Sequence, residues 1–371
     1  MGEENRISRT KITLKLFFEL LQISLGNKDG FERLPTDEKW QALFNLANEQ
    51  SLTSFLLMGL EKVLIRPEVA KPSVLFEWIG IQQQTETLNR IQNERAKILS
   101  SIFIDKAGCR SCVLKGQGTA LYYEKPEYRQ CGDIDIWVEG DRDQILDFAR
   151  SHGLHIGHVD IKHSDIDFFE DVPVEVHFLP SWMYCPSTNK RLLDFFTSKA
   201  ERQFANLDEK VGFAHTTIDF DLVYSMVHIY RHIFSEGIGL RQLVDYYYIL
   251  LHSTEEQRND AFEMLCRLRM KSFVGGIMWI LMECFGMNIK YSLCPTNERH
   301  GRFLLTEIMA AGSFGHYDTR ITQIDHNKRF KRGFSQLKRN LRFVTYYPSE
   351  VLWSPFWKLW HWCWRKKKGY L

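Results

Sequence analysis

The chain has 371 residues, 44% hydrophobic and 25% charged, which excludes a disordered tail protein and a disulfide-stapled miniature and is enough for two ordinary domains. The formal net charge is only +2, but residues 326–371 hold 12 Lys and Arg against one Glu. The preceding 325 residues therefore have a net charge of −9, so the near-neutral total conceals an acidic body and a basic end.

The cysteines and the apolar runs indicate the cellular compartment. Eight cysteines are scattered along the chain without the spacing of a disulfide framework, which favours a reducing compartment. The first residues lack the apolar core of a signal peptide, and the longest apolar run, Phe273 to Phe285, is too short to span a bilayer. We expect a cytoplasmic protein.

Helical patterns dominate both flanks of the chain. Residues 1–105 form a predicted helical N-terminal region, because apolar residues recur at helical spacing with breaks at Gly26–Gly30 and near Pro67 and Pro72. Residues 191–325 form a predicted helical C-terminal domain. The last 46 residues form a basic, aromatic tail, 326–371.

The middle of the chain, residues 106–190, has a different pattern. Short β-rich segments at Asp133–Val138 and Pro173–Phe178 predict strands, and Arg142–Ser151 predicts a helix between them. The whole chain is therefore predicted to have an α+β fold, in which a small mixed sheet is flanked by helical regions.

Two acidic residues stand on one face of the first predicted strand. Alternation in the segment Gly-Asp-Ile-Asp-Ile-Trp-Val places the Asp133 and Asp135 side chains together. Two such carboxylates repel each other, and one or two Mg²⁺ ions would neutralise them with hard oxygen ligands. A D-x-D pair alone also fits solvent-facing charges on a surface strand. On the later strand, Glu175 is the candidate third carboxylate, on the same face as His177.

A lysine and glycine turn precedes the acidic strand. The segment Val-Leu-Lys-Gly-Gln-Gly-Thr-Ala places Lys115, Gly116 and Gln117 before a helix-like stretch. Such a turn can hold phosphates through its backbone amides, and Lys115 or Arg129 could pair with a triphosphate. A solvated lysine at a strand end is an equal alternative for Lys115, and a surface charge is the alternative for Arg129.

The ordered combination of these motifs resembles a known family. The order of glycine turn, helix, D-x-D strand and single acid on a later strand resembles the nucleotidyltransferase superfamily, whose palm is similar to that of DNA polymerase β. LKG, R-x-x-GDIDIWV, VEVH and H-x-x-x-H followed by GIGLRQLVD resemble more narrowly the bacterial uncharacterised nucleotidyltransferases. The resemblance spans roughly Cys112 to Leu250.

The resemblance implies a palm with Asp133, Asp135 and Glu175 as catalytic residues and metal ligands. It implies transfer of a nucleoside monophosphate from a nucleoside triphosphate, ATP among the candidates, to an acceptor, with Mg²⁺ or Mn²⁺ as cofactor. Glu175 would hold a metal or act as general base for the acceptor hydroxyl. The superfamily's Gly-Gly or Gly-Ser pair is here Gly116-Gln117, a departure that makes Lys115 the candidate phosphate ligand. The alternative function is a non-catalytic nucleotide-binding or tethered protein that retains the fold.

Several polar residues of the C-terminal domain are further candidates. His228 and His232 lie four residues apart on a predicted helix, where they could bind a transition metal. Interior polar residues of the helical domain, hydrogen-bonded or close to the nucleotide, are favoured. After a predicted helix end at Gly237, Arg241 and Asp245 lie one helical turn apart. They either pair with each other at the surface or bring Arg241 toward the nucleotide.

Two other motifs have ordinary interpretations. The second D-x-D, Asp165 to Asp167, lacks a preceding glycine turn and is predicted to form the strand beside Glu175. His163 on that strand could approach the site, but a partly exposed His163 is favoured. Cys109 and Cys112 have C-x-x-C spacing without a second pair, so free thiols are expected.

The tail supports more than one interpretation. Five of the ten tryptophans lie in it, and the chain nearly ends in Arg365 and three lysines. Two interpretations stand equally: an amphipathic helix on an anionic membrane surface, and tryptophans packed on the helical domain with solvated lysines. Nucleic-acid binding ranks behind both. The acceptor in the predicted reaction, a small molecule or a protein, has no signature in the sequence.

Overall fold

Four helices form the N-terminal part of the computed structural model, which describes residues 2–66, 69–318 and 340–370. They are α1 (Gly2–Ser24), α2 (Asp37–Glu49), α3 (Thr53–Leu64) and α4 (Leu75–Ile102). The interruptions fall at the predicted glycine and proline segments, and one more break at Ser51 separates α2 from α3. The helix α4 is the longest, with 28 residues, and it runs on into a π-helical turn, Phe103–Ala107.

A five-stranded mixed sheet follows. Its strands are β1 (Ser111–Val113), β2 (Ile134–Val138), β3 (Ile156–Val159), β4 (His163–Ile166) and β5 (Val174–His177). Their spatial order is β1-β2-β5-β4-β3, and only the β2 and β5 pair is parallel. A one-turn helix, α5 (Gln117–Ala120), follows β1, and α6 (Arg142–Ser151) follows β2. The two predicted strands and the predicted helix between them are confirmed.

Helices make up most of the C-terminal half. They are α7 (Pro186–Phe204), α8 (Ile218–Ser235), α9 (Arg241–Leu251), α10 (Glu255–Arg267), α11 (Lys271–Glu283) and α12 (Glu298–Ala311), with a small hairpin of β6 (Leu207–Asp208) and β7 (Phe213–Ala214) after α7. The predicted α+β class is confirmed. In the described ranges, no helix combines the length and the apolar character that crossing a bilayer requires.

Two hydrophobic cores organise these elements. The larger one joins α1–α3 to α8–α12, with Phe17, Leu56 and Tyr246 among its fully buried side chains. The smaller one lies around the sheet, α4 and α6, and contains Ile136 and Val176. The flanking helical regions thus share one core across the sheet module.

Within the described part of the tail, Pro348–Lys368 forms the helix α13. The first part of the predicted tail, residues 326–339, lies outside the described residues. Trp357 of α13 stacks on Trp182, which follows β5, at 3.7 Å between ring centroids. The tail helix is therefore docked beside the sheet by at least one of its tryptophans.

Candidate functional site

Three carboxylates meet where β2 and β5 run side by side. Asp135 and Glu175 are direct neighbours in the parallel pairing, and Asp133 immediately precedes β2. One oxygen from each of Asp133, Asp135 and Glu175 lies within 4.8 Å of the other two. The parallel register thus brings together two motifs that are 40 residues apart in the chain. This is a set of hard oxygen donors of the kind that Mg²⁺ and Mn²⁺ accept.

Crowding of like charges shifts the ionisation of this group. The neighbouring carboxylate of Asp135, together with burial, raises the pKa of Asp133 to about 6. Burial also opposes ionisation of Asp135, but the Lys115 ammonium at 2.9 Å and His177 keep its pKa below the ordinary value. The three acids therefore do not ionise independently, and a cation between them would relieve their repulsion.

Two histidines border the carboxylates on the β5 side. His177 Nε2 lies 2.9 Å from Asp135 Oδ1 and 3.4 Å from Glu175 Oε2, and His163 Nδ1 lies 3.5 Å from the same Glu175 oxygen. Although burial opposes ionisation of Glu175, the hydrogen bond from His177 and the nearby His163 keep its pKa below the usual range. His163, Glu175 and His177 also form a second group with the spacing of metal ligands.

The lysine and glycine turn reaches the same place from β1. Lys115 has a φ of +36° and Gly116 a φ of +55° with a ψ of −115°, and the Leu114 N–H donates to the Asp135 carbonyl at 2.9 Å. This tight turn directs the Lys115 ammonium onto Asp135, so Lys115 is not the solvated lysine that the sequence left open. The helix after the turn has only four residues, so its dipole adds little to anion binding.

Polar side chains of α4 hold the turn and the loop before β2. Asn89 Nδ2 donates to the Arg129 carbonyl at 2.8 Å, and Gln92 Nε2 donates to the Gly132 carbonyl. The buried Gln117 amide donates to the Asn89 carbonyl at 3.1 Å and to Asn93 Oδ1 at 2.9 Å. The Gln117 side chain is thus turned toward α4.

A cavity of about 320 Å³ opens above the carboxylates. It has the size and position of a small ligand site between a sheet and a helical wall. Of the nine predicted site residues, all except Gln117 line it: Lys115, Gly116, Arg129, Asp133, Asp135, Glu175, Arg241 and Asp245. The structure therefore brings together the palm motifs and the candidates from α9.

A buried ion pair forms one side of the cavity. Arg129 binds Asp245 through two hydrogen bonds, Nε to Oδ1 at 2.7 Å and Nη2 to Oδ2 at 2.9 Å, and Tyr123 adds a third at 2.6 Å. Arg241, which the sequence paired with Asp245 as one alternative, instead donates to the Gln130 carbonyl at 2.7 Å. Burial and the nearby Arg129 lower the pKa of Arg241. Arg241 thus lines the cavity while Asp245 neutralises Arg129.

The remaining wall contains residues that were not among the predicted site residues. They are Thr119, Gly132, Lys162, His163, Tyr224, Ser225, His228, Ile229, His232, Glu236 and Gln242. Burial lowers the pKa of both His228 and His232, whose rings lie 4.1 Å apart, so they favour the neutral form. The sequence had already indicated His228 and His232 as interior residues, whereas Lys162 has no local pattern that would identify it.

The other sequence motifs lie outside this cavity. Asp165 on β4 is paired in register with Glu175, as predicted for the second D-x-D, and Asp167 contacts His155 at 2.8 Å. Neither lines the cavity. His163, in contrast, lines the cavity and is only 9% exposed, less than predicted. Cys109 and Cys112 are free thiols, as expected.

Comparison with known proteins adds the family. No curated protein matches the chain. A family model described as an uncharacterised nucleotidyltransferase matches residues 36–286, which cover α2 to α11, the whole sheet and every residue of the cavity. This match confirms the resemblance drawn from the motifs, and the chain belongs to the family of uncharacterised nucleotidyltransferases.

Proposed function

We propose that this protein transfers a nucleoside monophosphate from a nucleoside triphosphate to an acceptor, with the sheet serving as a polymerase β-like palm. The observation that carries the proposal is the carboxylate triad Asp133, Asp135 and Glu175, with donor atoms within 4.8 Å of one another beneath a cavity. Membership of a nucleotidyltransferase family supports the same chemistry.

The triad fits one or two divalent cations. Its donors are carboxylate oxygens, and the raised pKa of Asp133 reflects a repulsion from Asp135 that a cation would relieve. We assign Asp133, Asp135 and Glu175 as the residues that hold Mg²⁺ or Mn²⁺. A bound cation of this kind neutralises phosphate oxygens and lowers the pKa of an attacking hydroxyl.

Lys115 and Arg241 are the proposed phosphate ligands. The Lys115 ammonium neutralises Asp135 at 2.9 Å, and once a cation takes over that role the ammonium can bind a phosphate oxygen of the donor. Gly116 lets the backbone of the turn approach the donor closely. The Arg241 Nε is buried without a hydrogen-bond partner beside the cavity, so it retains a free donor for an anion.

Glu175 is proposed to act as a metal ligand, and His177 and Asp245 are proposed to position other residues of the site. Because the pKa of Glu175 lies below the usual range, it stays ionised and is a better metal ligand than proton acceptor. His177 holds both Asp135 and Glu175 and so orients two of the three ligands. Asp245 keeps the Arg129 guanidinium fixed at the edge of the cavity.

The test separates metal binding from group transfer. Mn²⁺ binding is measured by electron paramagnetic resonance, and nucleotide transfer by incorporation of an α-³²P label from each nucleoside triphosphate into small molecules, water or the protein itself. Asp133→Asn and Asp135→Asn should lower transfer at least about a hundredfold, because several kcal/mol of stabilisation of the transition state are lost. Asp167→Asn, in the second D-x-D and outside the cavity, is the matched control.

The outcomes decide between the two functions that the sequence left open. Transfer that is lost in both triad variants and kept in the control supports the proposal. Tight binding of nucleotide and Mn²⁺ without transfer to any acceptor favours the non-catalytic nucleotide-binding protein. Unchanged Mn²⁺ binding in Asp133→Asn or Asp135→Asn contradicts the assignment of the metal site.

A further inference from the structure

The tail helix α13 has two faces of different character. On the inner face, His361 Nε2 lies 3.1 Å from Asp160 Oδ1, and Trp364 lies over the Arg142 guanidinium at 4.7 Å. Trp357, which stacks on Trp182, lies one helical turn before His361 and two turns before Trp364. This face therefore attaches α13 along the edge of the sheet module.

The outer face is apolar over about three turns and is exposed. Its exposed fractions are 67% for Phe356, 64% for Leu359, 59% for Leu352, 50% for Trp360, 49% for Trp362 and 44% for Trp353. Pro355 and Cys363 complete it, so between residues 352 and 363 every exposed position of α13 is apolar. Monomeric proteins rarely expose a continuous patch of this composition, and such patches mark interaction sites.

The charges of α13 favour one class of binding partner for this apolar face. The only acid of α13, Glu350, is buried on the inner side, whereas Lys366, Lys367 and Lys368 form an exposed cluster at the C-terminal end. The sequence before α13 adds seven Lys and Arg and no acid over residues 326–342. The C-terminal end of the apolar face is thus cationic, which complements an anionic surface.

The composition of the face points to lipid more than to nucleic acid. Nucleic-acid surfaces interleave basic and aromatic side chains, because the phosphates must be met where the bases stack. No Lys or Arg is exposed on α13 before Lys366. Three exposed indoles beside a terminal lysine cluster are the arrangement of a helix that lies in the interface of a bilayer, with its apolar side in the acyl region.

We propose that the outer face of α13 docks this protein on an anionic lipid bilayer, with Trp353, Phe356 and Trp360 inserted and the terminal lysines on the headgroups. The inner face keeps the sheet module attached to the anchored helix. The cavity would then work next to the membrane surface, whatever its acceptor. This inference does not depend on the proposed reaction.

The test uses the full chain and lipid vesicles. Co-flotation is measured with phosphatidylcholine vesicles and with vesicles containing about one third phosphatidylglycerol. The outer-face variant carries Trp353→Ser, Phe356→Ser and Trp360→Ser. The matched control carries Phe76→Ser, Ile65→Ser and Ile289→Ser, three apolar side chains that are 85%, 80% and 71% exposed elsewhere on the surface. Far-ultraviolet circular dichroism checks that both variants are folded.

We expect at least about tenfold stronger partitioning onto the anionic vesicles, a loss of at least about tenfold in the outer-face variant, and no change in the control. Lys366→Gln with Lys367→Gln should remove the preference for anionic lipid, and added salt should weaken it.

Absence of vesicle binding, or binding that survives in the outer-face variant, overturns the proposal. A dimer in sedimentation equilibrium that the outer-face variant dissociates, without vesicle binding, assigns the face to a second copy instead. Tighter binding to a single-stranded oligonucleotide than to vesicles assigns it to nucleic acid.

Discussion

At the scale of single residues, the buried ion pair of Arg129 and Asp245 shows how the site keeps charges away from water. The Arg129 side chain is 4% exposed and that of Asp245 is 12% exposed, so each charge depends on the other for its partner. Removal of one member of such a pair leaves a buried charge without compensation, which is more costly than removal of both.

Asp245→Asn is therefore expected to destabilise the protein strongly. The substitution keeps the shape of the side chain but leaves the Arg129 guanidinium without its counter-charge, and the free energy of unfolding should fall by about 3 to 5 kcal/mol. Urea denaturation at pH 7 measures the change. The control is Asp147→Asn, which breaks the Arg150 pair between side chains that are 54% and 73% exposed, and it should change stability far less.

The loss of stability in Asp245→Asn should become smaller as the pH falls. Burial opposes ionisation of Asp245, but Arg129 keeps its pKa in the folded protein below the usual 3.8. The ion pair therefore stabilises the fold above pH 4 and loses its contribution as the pH falls through the folded pKa. The difference between the native protein and Asp245→Asn should shrink at low pH. A difference that is small at pH 7, or that grows toward acid, would contradict this role of the pair.

Local residue patterns predicted only part of the candidate site. Asp133, Asp135 and Glu175 were predictable because strand alternation fixes which side chains share a face. The pairing of Asp245 with Arg129, in place of Arg241, was not predictable. The partners are 116 residues apart, and only the tertiary packing of α9 brings them together. The contacts of the Gln117 side chain were not predictable for the same reason, since its hydrogen-bond partners belong to α4.

At the scale of elements, the turn between β1 and α5 is the most constrained connection of the site. Gly116 combines a φ of +55° with a ψ of −115°, a conformation that is strained for residues with a Cβ atom. A Cβ added there would have the Asp133 carbonyl oxygen as its nearest neighbour at 3.8 Å, which is an ordinary contact. The requirement for glycine is therefore conformational and not steric crowding by neighbours.

Gly116→Ala should lower the free energy of unfolding by about 1 to 3 kcal/mol through backbone strain. Gly80→Ala is the matched control, because Gly80 lies exposed inside α4 and an added Cβ meets nothing within 4 Å. That substitution should stabilise the protein by about 0.5 to 1 kcal/mol, since alanine loses less backbone freedom in a helix. Urea denaturation compares both variants. Equal stability of Gly116→Ala and the native protein would show that the turn tolerates a Cβ atom.

The observed bounds of the helices agree closely with the predicted bounds where the apolar periodicity of the sequence is strong. The helix α6 spans the predicted Arg142–Ser151, because Asp141 caps its first turn by accepting from the Gln144 N–H and its apolar side chains face the sheet. The hairpin of β6 and β7 escaped prediction because two-residue strands carry no alternation. The helix after the glycine turn ends at Ala120, and the following Tyr122 and Tyr123 donate hydrogen bonds to Asp221 and Asp245 of the C-terminal helices.

At the scale of the whole molecule, helices that are distant in the chain share one hydrophobic core. The order of helical and strand-rich regions was predictable from composition, but the union of α1–α3 with α8–α12 was not, because each helix has an apolar face that fits many partners. The tail helix contributes Val351 to that core and is attached along one face. Its attachment includes the buried Glu350, whose carboxylate accepts from the Tyr184 N–H at 2.8 Å and the Cys185 N–H at 3.2 Å.

Glu350→Ala should release α13 locally without unfolding the molecule. The substitution leaves two buried backbone N–H groups without acceptors and removes the carboxylate that lies 3.7 Å from Arg231 Nη1. Hydrogen exchange followed by mass spectrometry should show at least about tenfold faster exchange in residues 348–368, with smaller changes in β2 and β5. Glu298→Ala is the control, because this acid pairs with Arg302 on α12 and is exposed. If exchange in β2 and β5 accelerated as much as in α13, the tail helix would be an integral part of the cooperative fold and not a docked element that can separate from the sheet.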